Sequence, residues 1–299
     1  MKHPKKKSEV PVFRKNKLGE LVYYTSPVFE QYNIKHFFAS RFGGVSGGAF
    51  DSLNVSLARK DESGYTDAPE NVLENYKRAL EIVGVKPENA CAARQVHSCD
   101  VKRVTNADAG FGVVPERQFE TGFDATVLDK DTENVDALCV KTADCVPILL
   151  ANLKTGSVAA VHAGWRGTVA DIAVKSAKML GEPCDIAAAI GPCIGMCCYQ
   201  VGDEVYQAVK RLFEFYGMEN LVNNTFAFRA NCSADTAKYA NLAEINRLLL
   251  INAGLKEQNV DTSGLCTCCT RDEHGRNIFF SHRGYCGHSG TFVSGIRKL

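Results

Sequence analysis

Three side chains of this sequence are of kinds that bind a soft or borderline metal, and each sits where an apolar run begins or ends. They are His97 in CAARQVHSCD, Cys145 in VKTADCVPILL and His162 in AAVHAGWRG. Cys145 and His162 bracket an expected hairpin with NLKTG as its loop. An antiparallel return brings the two ends side by side, although 17 positions separate them. His97 must join by tertiary folding. Two imidazoles and a thiolate leave one tetrahedral position open, the pattern of catalytic zinc, whereas structural zinc is closed by four protein ligands. Bound zinc lowers the pKa of its water from 15.7 to about 7, which supplies hydroxide at neutral pH. Taken singly, such a Cys or His is more often a core residue. The neighbouring Gly164, Trp165, Arg166 and Gly167 are what point to a site.

Other residues could complete the chemistry. Asp144, beside Cys145, and Asp124 in FDATV are the carboxylates placed to move protons. The alternative for both is capping a turn or orienting a metal ligand. Arg41 precedes a loop with glycines at 43, 44, 47 and 48, which could hold an anion on its backbone N–H groups; a plain surface loop is the alternative. Cys193, in AIGPCIGMCCYQVGDEV, is open as nucleophile, metal ligand or packed thiol. Trp165 is expected to pack and shape the site, and Arg166 to touch substrate or pair with a carboxylate. Cys266, Cys268 and Cys269 lie near His274, His282, Cys286 and His288. Their C-x-C-C spacing is read as departing from the C-x2-C knuckle, so no metal is expected there.

The elements that must position these residues are short apolar strands, DATVLD, DALCVK, CVPILLAN, SVAAVHA and DIAAAIG. They are apolar on both faces, as in a sheet covered on both sides. Helices are expected over DAPENVLENYKRALEIVGV with Asp67 as N-cap, over VADIAVKSAKML capped by Thr168, over GDEVYQAVKRLFEFYG, and over SADTAKYANLAEINRLLLINAG as the longest. The strands from 124 to 162 follow one another without helices between them. That argues for α+β with a mixed sheet rather than a doubly wound fold.

The chain has 299 residues, 45% hydrophobic and 23% charged, with a formal net charge of +1. Neither nucleic acid nor an anionic membrane is an expected partner on that balance. Thirteen cysteines, an odd number, with no apolar leader after the basic start, fit a reducing cytoplasmic setting with mostly buried thiols. Residues 1–20 are expected to be a flexible N-terminal segment and 21–299 a single domain.

The segments SRFGGVSGGAFDSLNVS, RQVHS, FDATV, TADCVPILL, AAVHAGWRGT, AIGPCIGMCCYQVGDEV and FFSHRG run from about residue 39 to 283. In this order they resemble the laccase-domain family of multicopper-polyphenol-oxidase-like proteins, understood as purine nucleoside enzymes. The resemblance implies an α/β/β/α sandwich of the cysteine-hydrolase-like type with mixed sheets. It implies zinc on His97, Cys145 and His162, and Arg41 and Asn54 as contacts to nucleoside or phosphate. It implies phosphorolysis of adenosine, inosine, guanosine and methylthioadenosine, with inorganic phosphate as co-substrate, and deamination of adenosine. Where relatives often have Ser-Tyr-Arg-Arg, this chain has Ser281, His282, Arg283 and Gly284, which leaves base preference open.

Three other functions compete. A copper phenol oxidase fits the family name, and copper binds most ligand sets more tightly than zinc. Only seven histidines exist, however, and none forms a His-x-His pair. A zinc amidase acting on a cell-wall precursor would use the same hydroxide without phosphate. A zinc-stabilised binding protein would turn over nothing.

Overall fold

The computed structural model of the protein describes residues 13–230 and 236–299. The apolar middle strands all form, and all are buried on both faces. They belong to two six-stranded sheets. The first has the order Arg14–Leu18, Leu21–Thr25, His36–Ala39, Phe292–Arg297, Ala137–Thr142 and Ala90–Ala92. The second runs Val260–Thr262, Ile186–Ile190, Val146–Asn152, Val158–Ala163, Ala125–Leu128 and Val101–Val104. Both are mixed. Ala90–Ala92, Val260–Thr262 and Val101–Val104 pair parallel with their neighbours, and the remaining pairs are antiparallel. A small antiparallel sheet joins Gln200–Val201, Thr236–Ala240 and Phe226–Ala230.

The two-residue period of a strand explains how the sheets stack. Leu149, Ala151, Ala160 and Ala189 point into a core shared with Phe38, Leu138, Val140 and Phe292 of the other sheet. Their neighbours Ile148, Leu150, Ala159, Val161, Ala188 and Ile190 point the other way, onto a core that includes Ile172, Ala177, Ile245 and Leu249. These last residues come from the helices Ile172–Leu180 and Leu242–Asn252. On the far side, Cys139 and Val293 pack against Val72, Tyr76 and Leu80 of the helix Pro69–Glu81. The result is a mixed α+β fold in which helices cover the outer faces of two packed sheets. Among the described residues, no helix is long and apolar enough to cross a membrane.

Several boundaries differ from the sequence expectations. Arg14–Leu18 is a strand paired with Leu21–Thr25, within the segment expected to be a flexible N-terminal stretch; residues 1–12 lie outside the described residues. Ala68, not Asp67, occupies the N-cap of Pro69–Glu81, because Asp67 is engaged by Ser46 and Asn54. Thr168 lies inside a short helix, Trp165–Val169, and the next helix starts after Asp171. The Thr168 hydroxyl instead accepts from Asn246. The expected long helix holds two elements: Thr236–Ala240 is a strand, and Asn241 caps a helix that begins at Leu242 by accepting from the Glu244 N–H. Residues 233–235 of that stretch lie outside the described residues.

Candidate metal centre

The hairpin forms with Pro147 opposite His162 and Val146 opposite Ala163. Cys145 therefore stands beside the exit of the return strand. Ala125 pairs with Val161 on the next strand over, which sets Asp124 next to His162. His97 arrives on the loop between Ala90–Ala92 and Val101–Val104, with a left-handed backbone at φ +63°. One carboxylate holds that loop. Asp124 accepts the backbone N–H groups of Val96, His97 and Ser98 at 3.1, 2.9 and 2.7 Å, and the Ser98 hydroxyl at 3.0 Å.

Asp124 Oδ1 also meets His162 Nδ1 at 2.7 Å. That fixes the imidazole so that Nε2 is the free donor, as in other carboxylate-oriented metal histidines. The Cys145 Sγ lies 3.8 Å from His97 Nε2, and the donor atoms of His97, Cys145 and His162 all fall within 4.8 Å of one another. Gly164 leaves room for them: a Cβ there would stand 3.1 Å from His97 Cδ2 and 3.4 Å from Cys145 Sγ. The electrostatics match the geometry. Burial works against ionising the Cys145 thiol, but His162 and His97 bring it down to about 6. Burial likewise opposes charge on His162, yet Cys145 and Asp124 raise it to about 9. Against its own burial, Asp124 is held down to about 2 by His162 and the loop N–H groups. Two nitrogens and a thiolate are a donor set that fits a borderline divalent ion, and three protein donors leave a position open.

The three side chains lie on the wall of a cavity of about 670 Å³, within the range of small-molecule sites. Its wall includes His97, Cys145, His162, Arg59, Phe119 and Lys141. Burial pulls the Lys141 ammonium below the usual lysine range, so an anion beside it would be welcome.

The other residues singled out by sequence lie elsewhere. Asp144 is buried with a left-handed backbone, and its carboxylate accepts from the Thr267 and Ser281 hydroxyls and the Arg283 N–H at 2.6, 2.7 and 2.7 Å. Its oxygens are occupied in tying three segments together. Asn54 is fully buried: its amide NH2 donates to Ser56 O and Asp67, and its Oδ1 accepts from the Ser56 and Thr291 N–H groups. Arg41 donates to Asp51 O and the Tyr285 hydroxyl, lies over Phe280, and lines a separate cavity with Lys15, Lys17 and Arg276. Arg166 is exposed and stacks on Trp165 at 4.4 Å. Cys193 is a packed thiol of the helix-side core, its ionisation disfavoured by burial. Arg59 and Lys141 were not singled out from sequence. A basic residue in ARK or VKT carries no local mark; that Arg59 and Lys141 line the same cavity as Cys145 is visible only in three dimensions.

The fold and site define an α+β sandwich with a His–Cys–His cluster on the wall of a small-molecule-sized cavity. The sequence profile of the multi-copper polyphenol oxidoreductase laccase family matches residues 35–298, and the chain belongs to that family. It is 34% identical to the purine nucleoside phosphorylase YlmD of Bacillus subtilis, over 87% of this chain and 86% of that protein. It is also 34% identical to the adenosine deaminase RL5 of an unknown prokaryotic organism, over 72% of this chain and 78% of that one. The crystal structure of YlmD from Geobacillus stearothermophilus superposes with a TM-score of 0.77 at 29% identity, covering 96% of this chain and 98% of that chain. The mixed-sheet fold is thus shared with a solved relative.

Proposed function

We propose that the protein is a zinc-dependent purine nucleoside phosphorylase with a lesser adenosine deaminase activity. The observation that carries this reading is the cluster of His97, Cys145 and His162, donor atoms within 4.8 Å, on the wall of the cavity. The names of the relatives supply the reaction class. When bound, zinc supplies Lewis-acid stabilisation of charge next to the substrate. The chain's own residues supply the rest. Asp124 orients His162 and the His97 loop. Phe119 offers an aromatic face to the purine. Arg59 and Lys141 meet the phosphate, in place of Arg41, which lines the other cavity.

Phosphorolysis joins a phosphate oxygen to C1′ and breaks the bond from C1′ to the base. It needs a cationic subsite beside the sugar, a role we assign to Lys141 and to Arg59, which also bonds His282 at 2.9 Å; both line the cavity. Deamination needs a side chain that carries a proton to departing ammonia. Asp124 and Asp144 are both taken up by fixed donors, so this arm is the weaker one.

The test joins elemental analysis to a chromatographic assay of adenosine with and without phosphate, for the natural protein and Cys145→Ala. Adenine released only with phosphate, at about one zinc in this site and lost in the variant, supports the reading. Lys141→Met should then raise the KM for phosphate about tenfold, as expected for the loss of a charge-assisted contact. Zinc present with no nucleoside consumed would overturn it in favour of the amidase or binding reading. Copper with phenol oxidation that survives chelation would overturn it in favour of the oxidase.

A further inference from the structure

A second cluster of metal-binding side chains lies apart from the cavity. Ile186–Ile190 and Val260–Thr262 are adjacent parallel strands, and each runs on into a cysteine-bearing loop. The loops stay in register beyond the sheet: Cys193 N donates to Leu265 O at 3.3 Å, and Thr267 N to Cys193 O at 3.0 Å. One loop then presents Cys197 and Cys198, and the other Cys266 and Cys269. All four sulfurs lie within 4.8 Å of one another, with Cys197 and Cys269 at 3.4 Å. Tetrahedral zinc with bonds of about 2.3 Å requires sulfurs about 3.8 Å apart, so the pair at 3.4 Å would open slightly and the wider ones close by about 1 Å at most.

The surroundings favour a thiolate at Cys266, while burial opposes ionising Cys197 and Cys198 in the absence of an ion. Cys266 Sγ accepts the Gly195 N–H at 3.2 Å. Three arginines donate to carbonyls of this same region: Arg229 to Cys197 and Met196, Arg271 to Cys268, and Arg283 to Gln200. None of the three is paired with a carboxylate among the described residues. Four thiolates around a divalent ion leave two negative charges, which these guanidinium groups balance. The sequence expectation of no metal here is corrected on one point of spacing. Cys266 and Cys269 are themselves a C-x2-C pair, and their partners Cys197 and Cys198 lie far upstream in the chain.

We propose that Cys197, Cys198, Cys266 and Cys269 bind one structural zinc ion that clamps the two loops. The site is closed by four protein donors and has no position for substrate. It is independent of the phosphorylase reading. It bears on the other cluster through Asp144, beside Cys145, whose carboxylate accepts the Thr267 hydroxyl and whose carbonyl accepts the Ile194 N–H.

The test measures metal in the full-length chain purified under reducing conditions. A background variant, His97→Ala with Cys145→Ala, removes the cavity cluster. In that background one zinc per chain should remain, and adding Cys197→Ser and Cys269→Ser should remove it. Cobalt exchanged into the background variant should give the absorption of tetrahedral tetrathiolate cobalt. Should the serine variants fail to fold, alkylation of the natural protein decides: these four thiols should be protected until a chelator is added, as mapped by peptide mass. A background variant without metal overturns the proposal, as does an intact mass showing disulfides among these residues. Iron with acid-labile sulfide overturns the zinc assignment in favour of an iron–sulfur cluster.

Discussion

The two sulfur-bearing clusters are built from similar parts and differ in what surrounds them. At the cavity, one thiol stands between two imidazoles, and one of those imidazoles is itself held by a carboxylate. At the loops, four thiols face one another, with a backbone N–H and guanidinium groups around them. The first set stops at three donors and lies on the wall of a cavity of about 670 Å³. The second is complete. Donor count and access, more than donor type, separate a site suited to chemistry from one suited to holding a fold. Thr267 and Asp144 stand between them, so the closed cluster braces the backbone that carries a ligand of the open one.

The largest expected effect comes from removing the thiol of the open cluster. Cys145→Ala should cost one equivalent of metal and about a thousandfold or more in nucleoside turnover. Melting temperature should change little beside the loss caused by stripping the closed cluster. If activity survives within a few-fold while metal is lost, the contrast between the two sites collapses.

Asp124→Asn comes next. The amide oxygen can keep the bonds of Oδ1, but the NH2 in place of Oδ2 faces the Val96 and Ser98 donors, and the charge beside His162 is gone. Metal affinity at the open cluster should fall about 10–100-fold, the usual cost of losing such an orienting partner. Competition against a chromogenic chelator reads this directly, with the four-cysteine site as internal reference. An unchanged competition curve would remove Asp124 from any positioning role.

Thr267→Val probes the link between the clusters. It leaves both donor sets intact and deletes one of the three donors to buried Asp144. The expected cost is about 1–3 kcal/mol in denaturant unfolding, because a buried acceptor loses a partner. Both metals should stay bound, and turnover should drop only a few-fold. Loss of metal from either cluster would mean that the two are one cooperative unit.

What could be read from the sequence follows from how local each feature is. The hairpin that joins Cys145 to His162 was legible, because two apolar runs with a short polar loop between them fix their own pairing. The closed cluster was not, since its two cysteine pairs meet only through strands that are neighbours in space and distant in the chain. Asn54 and Arg41 matched a resemblance, and no local pattern says that the first is buried under four hydrogen bonds or that the second faces another cavity. The helix start at Asn241 was written in the sequence as Asn-Leu-Ala-Glu, an N-cap with an acid three residues on. The Ala, Lys and Tyr residues before it are acceptable in a helix, and pairing with Phe226–Ala230 on one side and Gln200–Val201 on the other makes them a strand.

A second buried histidine gives the cavity cluster a baseline and the smallest effect. His36 is 4% exposed, accepts the Ser26 N–H on Nε2 at 2.7 Å and donates from Nδ1 to Ile34 O at 2.8 Å. Burial lowers it from 6.5 to about 4, against small opposing effects of Ile34 and Glu30. His162 is as buried but moves the other way, because Cys145 and Asp124 stand beside it. Between pH 6.5 and about 4 the unfolded chain binds a proton at residue 36 that the folded chain does not. Stability from this residue is therefore present above pH 6.5 and is lost as pH falls toward 4, by about 3 kcal/mol at most. Asp261, which shares Ser26 with His36, works oppositely. Burial raises it to about 6, so its contribution is present at low pH and is lost as pH rises through 6. His36→Gln keeps Asp261 and removes the imidazole, so the difference in denaturation midpoint between natural protein and variant isolates His36. That difference should narrow as pH falls from 7 to 5. Parallel pH curves would show that His36 is no baseline, and that burial alone does not keep an imidazole neutral in this fold.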